Sequence, residues 1–125
     1  MLLYNIVVNN KERGAHTMQY AWYMTNNRDY RFESFDYAKE NGFKVSDYNL
    51  AQSGTIDDPE VLVHPDWHIL DYLYSQMNRS QSNHPGIRSM SVSDIVILSE
   101  DDGWNLRVYY CDDCGWRGLD FWKDF

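Results

Sequence analysis

Ile95-Val-Ile-Leu-Ser-Glu-Asp-Asp-Gly-Trp-Asn-Leu-Arg-Val-Tyr-Tyr-Cys111 is the stretch that decides the fold. Together with Val92, the run Ile95 to Leu98 is β-branched or apolar without a break, which suits a central strand covered on both faces. Asp101, Asp102 and Gly103 supply turn chemistry, and Leu106 to Cys111 resumes an apolar, aromatic run. The two runs are therefore expected to pair as an antiparallel hairpin. A helix or turn around Trp116 to Trp122 is expected to close the domain.

Upstream, Asn83, Pro85 and Gly86 read as a loop, and before them lies the clearest helix. It starts near Pro65, since proline at the first helical position sacrifices no hydrogen bond. Trp67, Leu70, Leu73, Tyr74 and Met77 form its apolar stripe, expected to face the core. Tyr48 to Ile56 half alternates and ends on Asp57, Asp58 and Pro59, a strand running into a turn. Ser34 is placed to cap a short helix from Phe35 to Glu40, with Gly42 at the position where a left-handed backbone suits glycine. Leu2 to Val8 and Met18 to Met24 are strand candidates separated by the polar turn Asn9 to Gly14. The expectation is one small α+β domain over residues 1–125, mainly antiparallel sheet with one or two packed helices.

Composition limits the function. A chain of 125 residues makes one ordinary domain with a sizeable core. Five Trp, ten Tyr and five Phe require an aromatic-rich core or interface. No run approaches the roughly 20 apolar residues that span a bilayer, and Met1 to Val8 lacks a signal-peptide pattern. A cytoplasmic location is expected, and there two cysteines point to thiols or a metal rather than a disulfide framework. The net charge of −8 repels phosphate backbones and anionic membranes, so direct binding of either is not expected. Half of that charge lies in the last 26 residues, in Glu100, Asp101, Asp102, Asp112, Asp113, Asp120 and Asp124 against Arg107, Arg117 and Lys123. This reads either as a solvated face or as an acidic docking surface for a basic groove.

Chemistry-bearing motifs are few. Ser89, Ser91 and Ser93 lack a nucleophile elbow, the four histidines are scattered, and no glycine-rich phosphate loop occurs. His64-x-x-x-His68 and Cys111-x-x-Cys114 each offer a two-ligand half-site, and together they would supply one structural zinc ion with four ligands. That needs the helix start and the end of the last hairpin to meet; otherwise the cysteines are two reduced thiols. His16 and His84 read as loop residues. Four protein ligands would leave no open position for water, which argues against catalysis. A metallo-hydrolase would instead need three ligands and a carboxylate base such as Asp66, Asp112 or Asp113.

Gly86-Ile-Arg-Ser-Met-Ser-Val-Ser-Asp-Ile-Val-Ile-Leu98, followed by Tyr109-Tyr-Cys-Asp112 and Gly115-Trp116, resembles the YodL-like domain. That small family is found in firmicute genomes, phages and conjugative elements. Tyr30-Arg-Phe32, Gly42-Phe-Lys-Val45, Tyr48 to Gly54 and Tyr74 to Asn78 fall in the same order, so the resemblance spans about Met18 to Phe121. A cysteine at position 111 fits the family pattern, whereas at 114 an apolar or aromatic residue is expected there; the resemblance lends zinc no support. It implies a mobile-element or phage setting, where small acidic proteins counter host restriction or CRISPR nucleases. In physical terms, Ser91, Ser93 and Asp94 can satisfy free backbone amides where the chain enters a strand. Arg88 and Asp94 are alternatively a surface ion pair or a partner contact.

The resulting expectation is a non-enzymatic inhibitor that binds a host defence nuclease of the CRISPR or restriction type through Asp101, Asp102, Trp104, Asp112, Asp113, Trp116 and Trp122, with Tyr109 nearby. Aromatic anchors beside charges are what interface hot spots require. A regulatory adaptor of the mobile element, with its aromatics in the core, and a small metallo-hydrolase are the alternatives.

Overall fold

The computed structural model describes residues 17–79, 88–100 and 103–125. The expected strand Leu2 to Val8, the turn after it, His16, the Asn83 to Gly86 loop with His84, and Asp101 and Asp102 lie outside the described residues. Five strands, β1 (Met18–Thr25), β2 (Tyr48–Ile56), β3 (Ile95–Glu100), β4 (Arg107–Asp112) and β5 (Gly115–Leu119), form one sheet in the order β2-β1-β3-β4-β5. Every pairing is antiparallel. The architecture is α+β and mainly sheet, as the sequence implies.

Helices cover the sheet on both faces. α3 (Asp66–Arg79) buries Ile69, Leu70, Leu73 and Met77 against Met18, Tyr20 and Trp22 of β1 and Val96 and Leu98 of β3. On the opposite face α1 (Phe35–Glu40) packs Phe35 and Ala38 against Ile95, Val108 and Tyr110. β3 thus contributes apolar side chains alternately to two cores, which is why its sequence reads as an unbroken apolar run rather than an alternating one. α1 is capped as expected: the Ser34 side chain accepts from the Tyr37 N–H, and Gly42 follows the helix with φ +94°. Among the described residues there are also two short α-helices, α2 (Pro59–Leu62) and α4 (Phe121–Asp124).

Three details correct the sequence reading. Trp67 and Tyr74 do not face the core; they are 60 % and 39 % exposed. Ile69, Leu70, Leu73 and Met77 set the buried face, and at about 100° per residue Trp67 and Tyr74 fall roughly a quarter-turn away from its centre. Val92 lies outside β3, because Ser91 to Asp94 is a turn closed by the Asp94 N–H donating to the Ser91 carbonyl (3.1 Å). Gly115–Leu119 is an edge strand rather than the start of a closing helix. Asp112 pairs with Gly115 across a two-residue turn, and Gly115 takes φ +118°, open to glycine but strained for other residues.

Candidate functional site

The turn that feeds β3 carries a fully buried carboxylate. Asp94 accepts from four donors: Arg88 Nη2 (2.6 Å) on Oδ1, and Arg88 Nη1 (3.1 Å), Trp22 Nε1 (3.0 Å) and the Ser91 N–H (2.9 Å) on Oδ2. Burial pushes its carboxyl above the ordinary value while these donors pull it down. The expected use of Asp94 to satisfy turn amides is realised. The alternative, an Arg88–Asp94 ion pair, also forms, but with Asp94 wholly inside and Arg88 only partly exposed rather than at the surface. Its indole partner comes from the middle of β1, 72 residues away, so no local pattern could announce the socket.

A second junction sits directly on the first. Phe32 and Ser93 both have left-handed backbones, φ +70° and +85°, though neither is glycine. They are joined by the Phe32 N–H donating to Ser93 Oγ (3.0 Å), while Tyr48 Oη donates to the Ser93 carbonyl (2.7 Å) and Tyr110 Oη to the Glu33 carbonyl (2.7 Å). Such conformations cost on the order of 1–3 kcal/mol each and persist only where the surroundings enforce them. Phe32 is nonetheless 47 % exposed, with the guanidiniums of Arg31 (4.8 Å) and Arg88 (5.0 Å) over its ring. Sequence reasoning missed this site: Tyr30-Arg-Phe32 contains no glycine or asparagine to mark a left-handed position.

These two junctions lie within the span, residues 17–121, that the model of the YodL-like domain matches. The chain belongs to the YodL-like domain family. Among curated proteins and solved structures, none matches it.

In this YodL-like chain a third polar cluster ties α3 to the sheet. Asp66 accepts from Arg107 Nε (2.7 Å) and Nη2 (3.0 Å) and from Tyr109 Oη (2.5 Å), and Arg107 Nη1 reaches Glu100 (3.1 Å). Burial works to raise the Asp66 carboxyl, but the Arg107 and Tyr109 hydrogen bonds outweigh it and hold the group below its ordinary value. Burial and then Asp66 push the Tyr109 phenol up to about 12. A carboxylate so engaged acts as a clamp, and its pH signature follows. Because the folded-state pKa is depressed, the clamp stabilises fully above the unfolded value near 3.9 and is lost as pH falls through the folded value. Asp66→Asn should cost about 1.5–3 kcal/mol at pH 7. It should also flatten the loss of stability below about pH 4. Urea melts from pH 7 to pH 2.5, roughly spanning that titration, check both.

The expected zinc ligands do not gather into one site. His64 and His68 come together, their rings stacked at 4.0 Å. They stand at the end of α3 that meets Arg107, whereas Cys111 is four residues along β4, about 13 Å at 3.3 Å per residue. Cys111 is buried and Cys114 exposed. Burial, with the carboxylates of Asp94, Asp112 and Asp71, raises the Cys111 thiol to about 12. Among the described residues no three His, Cys, Asp or Glu side chains converge on one point.

The expected acidic docking face is also divided. Trp104 is 72 % exposed beyond the end of β3, while Asp112 and Asp113 lie at the far end of β4. Asp112 serves the fold, its Oδ1 accepting from the Phe35 N–H (3.1 Å) and the Asp113 N–H (2.9 Å). Trp122 lies on α4. Trp116 lies on the α3 side of the sheet, where its Nε1 donates to Asp71 (3.2 Å). Trp67, Asp71 and Tyr74 are neighbours by the three- and four-residue spacing of one helix face, so the structure assembles an aromatic and acidic patch from Trp67, Asp71, Tyr74 and Trp116. Among the described residues no helix is long and apolar enough to cross a membrane.

Proposed function

We propose that this chain is a non-catalytic protein-binding module whose docking face runs along the outer flank of α3 onto the edge strand β5. The observation that carries this reading is Trp67, Asp71 and Tyr74 in one exposed stripe, continued by Trp116 through its hydrogen bond to Asp71. Large rings left in water beside a carboxylate give a partner both apolar area and a charged contact, the composition of interface hot spots. The partner class that fits best has a basic groove, because the chain carries a net charge of −8. With the mobile-element setting that the family resemblance implies, that class is a host defence nuclease, and the action is inhibition of the anti-CRISPR or anti-restriction type.

The test is a cleavage assay with purified CRISPR and restriction nucleases and stoichiometric amounts of the chain. Inhibition of one of them is expected, weakened about 30-fold by Trp67→Ser combined with Asp71→Lys, since a central aromatic anchor is worth roughly 2 kcal/mol or more. The melting temperature should stay within about 2 °C of wild type, as surface changes usually stay within about 0.5 kcal/mol. Cleavage of every substrate at the uninhibited rate would refute the nuclease reading. Undiminished inhibition by the double variant would place the docking face elsewhere.

A further inference from the structure

We propose that Phe32, with Arg31 over its ring and Arg28 on the same turn, is a second docking element, which receives a protein segment carrying a single carboxylate beside an apolar side chain. Phe32 and its neighbouring arginines share no residue with the α3 face.

The first support is a mismatch between how firmly Phe32 is held and how little of it is buried. The turn that presents it is fixed from within. Tyr30 is fully buried with its Oη on Asp47 (2.9 Å), Asn27 Nδ2 also donates to Asp47 (2.7 Å), and the Glu33 N–H returns to the Tyr30 carbonyl (3.1 Å). Ser93, Tyr48 and Tyr110 then lock the adjoining backbone. All this holds a bulky residue left-handed, yet Phe32 remains nearly half exposed. A strained, pre-organised and exposed ring is the pattern of a ligand clamp rather than of a core residue.

The second support is chemical. Arg88 is committed to Asp94 and the Ser89 carbonyl, but among the described residues Arg28 and Arg31 form no ion pair. A guanidinium lying over an aromatic ring keeps its N–H edge free, and that edge matches a carboxylate bidentately. Asp29 and Glu33 on the same turn, within a chain of net charge −8, repel a run of negative charge. An isolated carboxylate fits here and a polyphosphate backbone does not. The apolar neighbour of that carboxylate would lie on the open part of the Phe32 ring.

The experiment is an NMR titration of the full chain with acetyl-Leu-Glu-Leu-amide, with acetyl-Leu-Gln-Leu-amide and a ten-nucleotide thymidine oligomer as comparisons. Shifts confined to Arg28–Glu33 and Arg88 are expected, with the Glu peptide bound about fivefold or more tightly than the Gln peptide, as one charge-assisted bidentate contact allows. Arg31→Gln should abolish that preference. Phe32→Gly is the decisive variant, because glycine accepts φ +70° without strain. The melting temperature should hold or rise while affinity falls about fivefold or more. A melting temperature lowered by more than about 5 °C would show that the ring serves the fold as a cover for the Arg88–Asp94 pair. Equal binding of the two peptides, no binding of either, or preference for the oligonucleotide would equally overturn the proposal.

Discussion

Asp94→Ala is expected to lower the melting temperature by about 10–20 °C. Removing one member of a buried ion pair costs about 3–5 kcal/mol, because the partner keeps its desolvation penalty and loses its compensation. In a domain of this size each kcal/mol corresponds to roughly 3–5 °C. Here three partners are stranded together, the Arg88 guanidinium, the Trp22 indole N–H and the Ser91 amide. Among the described residues Arg88 Nε already lacks a hydrogen-bond partner. Asp94→Asn should fall between, since an amide oxygen can still serve Trp22 and Ser91 while its NH2 opposes Arg88. Adding Arg88→Leu to Asp94→Ala should recover part of the loss, as removing both charges relieves the unpaired one. Thermal melts by circular dichroism decide it: an Asp94→Ala melt within about 3 °C of wild type would mean the hub contributes no stability.

Phe35→Ala should cost about 3–5 kcal/mol, the usual range for emptying an aromatic site. Phe35 is buried with its ring edge-on to Tyr110 (5.1 Å) and Phe43 (5.3 Å), and the side chains of Lys39 and Arg117 reach over it. Deletion should release α1 from the sheet while the α3 side stays packed. Hydrogen exchange reads this directly: amides of Ala38 and Phe43, which both bond within the α1 cap, should lose protection before those of Leu70 and Leu73. Phe35→Leu should cost about 1.5 kcal/mol or less, because it keeps most of the volume. Simultaneous loss of protection on both faces would show one cooperative core instead of two.

Much of the fold was legible because its signals are local. Ser34 and Gly42 bracket α1, Pro65 opens α3, and the two apolar runs either side of Asp101 to Gly103 give the hairpin. β5 was missed because Gly-Trp-Arg-Gly-Leu has little strand propensity; its pairing is set by the turn at Asp113 and Cys114 and by β4 alongside. Trp67 was misassigned because a spacing of three or four residues fits a stripe on either flank of a helix, and only Ile69 fixes the phase. The site was less legible for a physical reason. Trp22 with Asp94, Phe32 with Ser93 and Asp66 with Arg107 are joined by tertiary packing across 41 to 72 residues, and no spacing rule spans such gaps. Spacing did find His64 beside His68, but it could not tell that β4 carries Cys111 away from them.

The strand order has a consequence for how the molecule is made. β1 and β2 can pair soon after Ile56 is synthesised, and β3, β4 and β5 form a local meander, but β1 meets β3 only across a closure of some 70 residues. The seam between β1 and β3 is therefore the slow, high-contact-order step of folding. Trp22 and Asp94 straddle that seam, so their hydrogen bond joins the amino-terminal hairpin to the carboxy-terminal meander. Until the seam closes, the nascent chain carries two half-sheets, each with an open edge and an unburied carboxylate or indole. It is in this interval, rather than in the finished domain, that the chain is most exposed to aggregation and proteolysis.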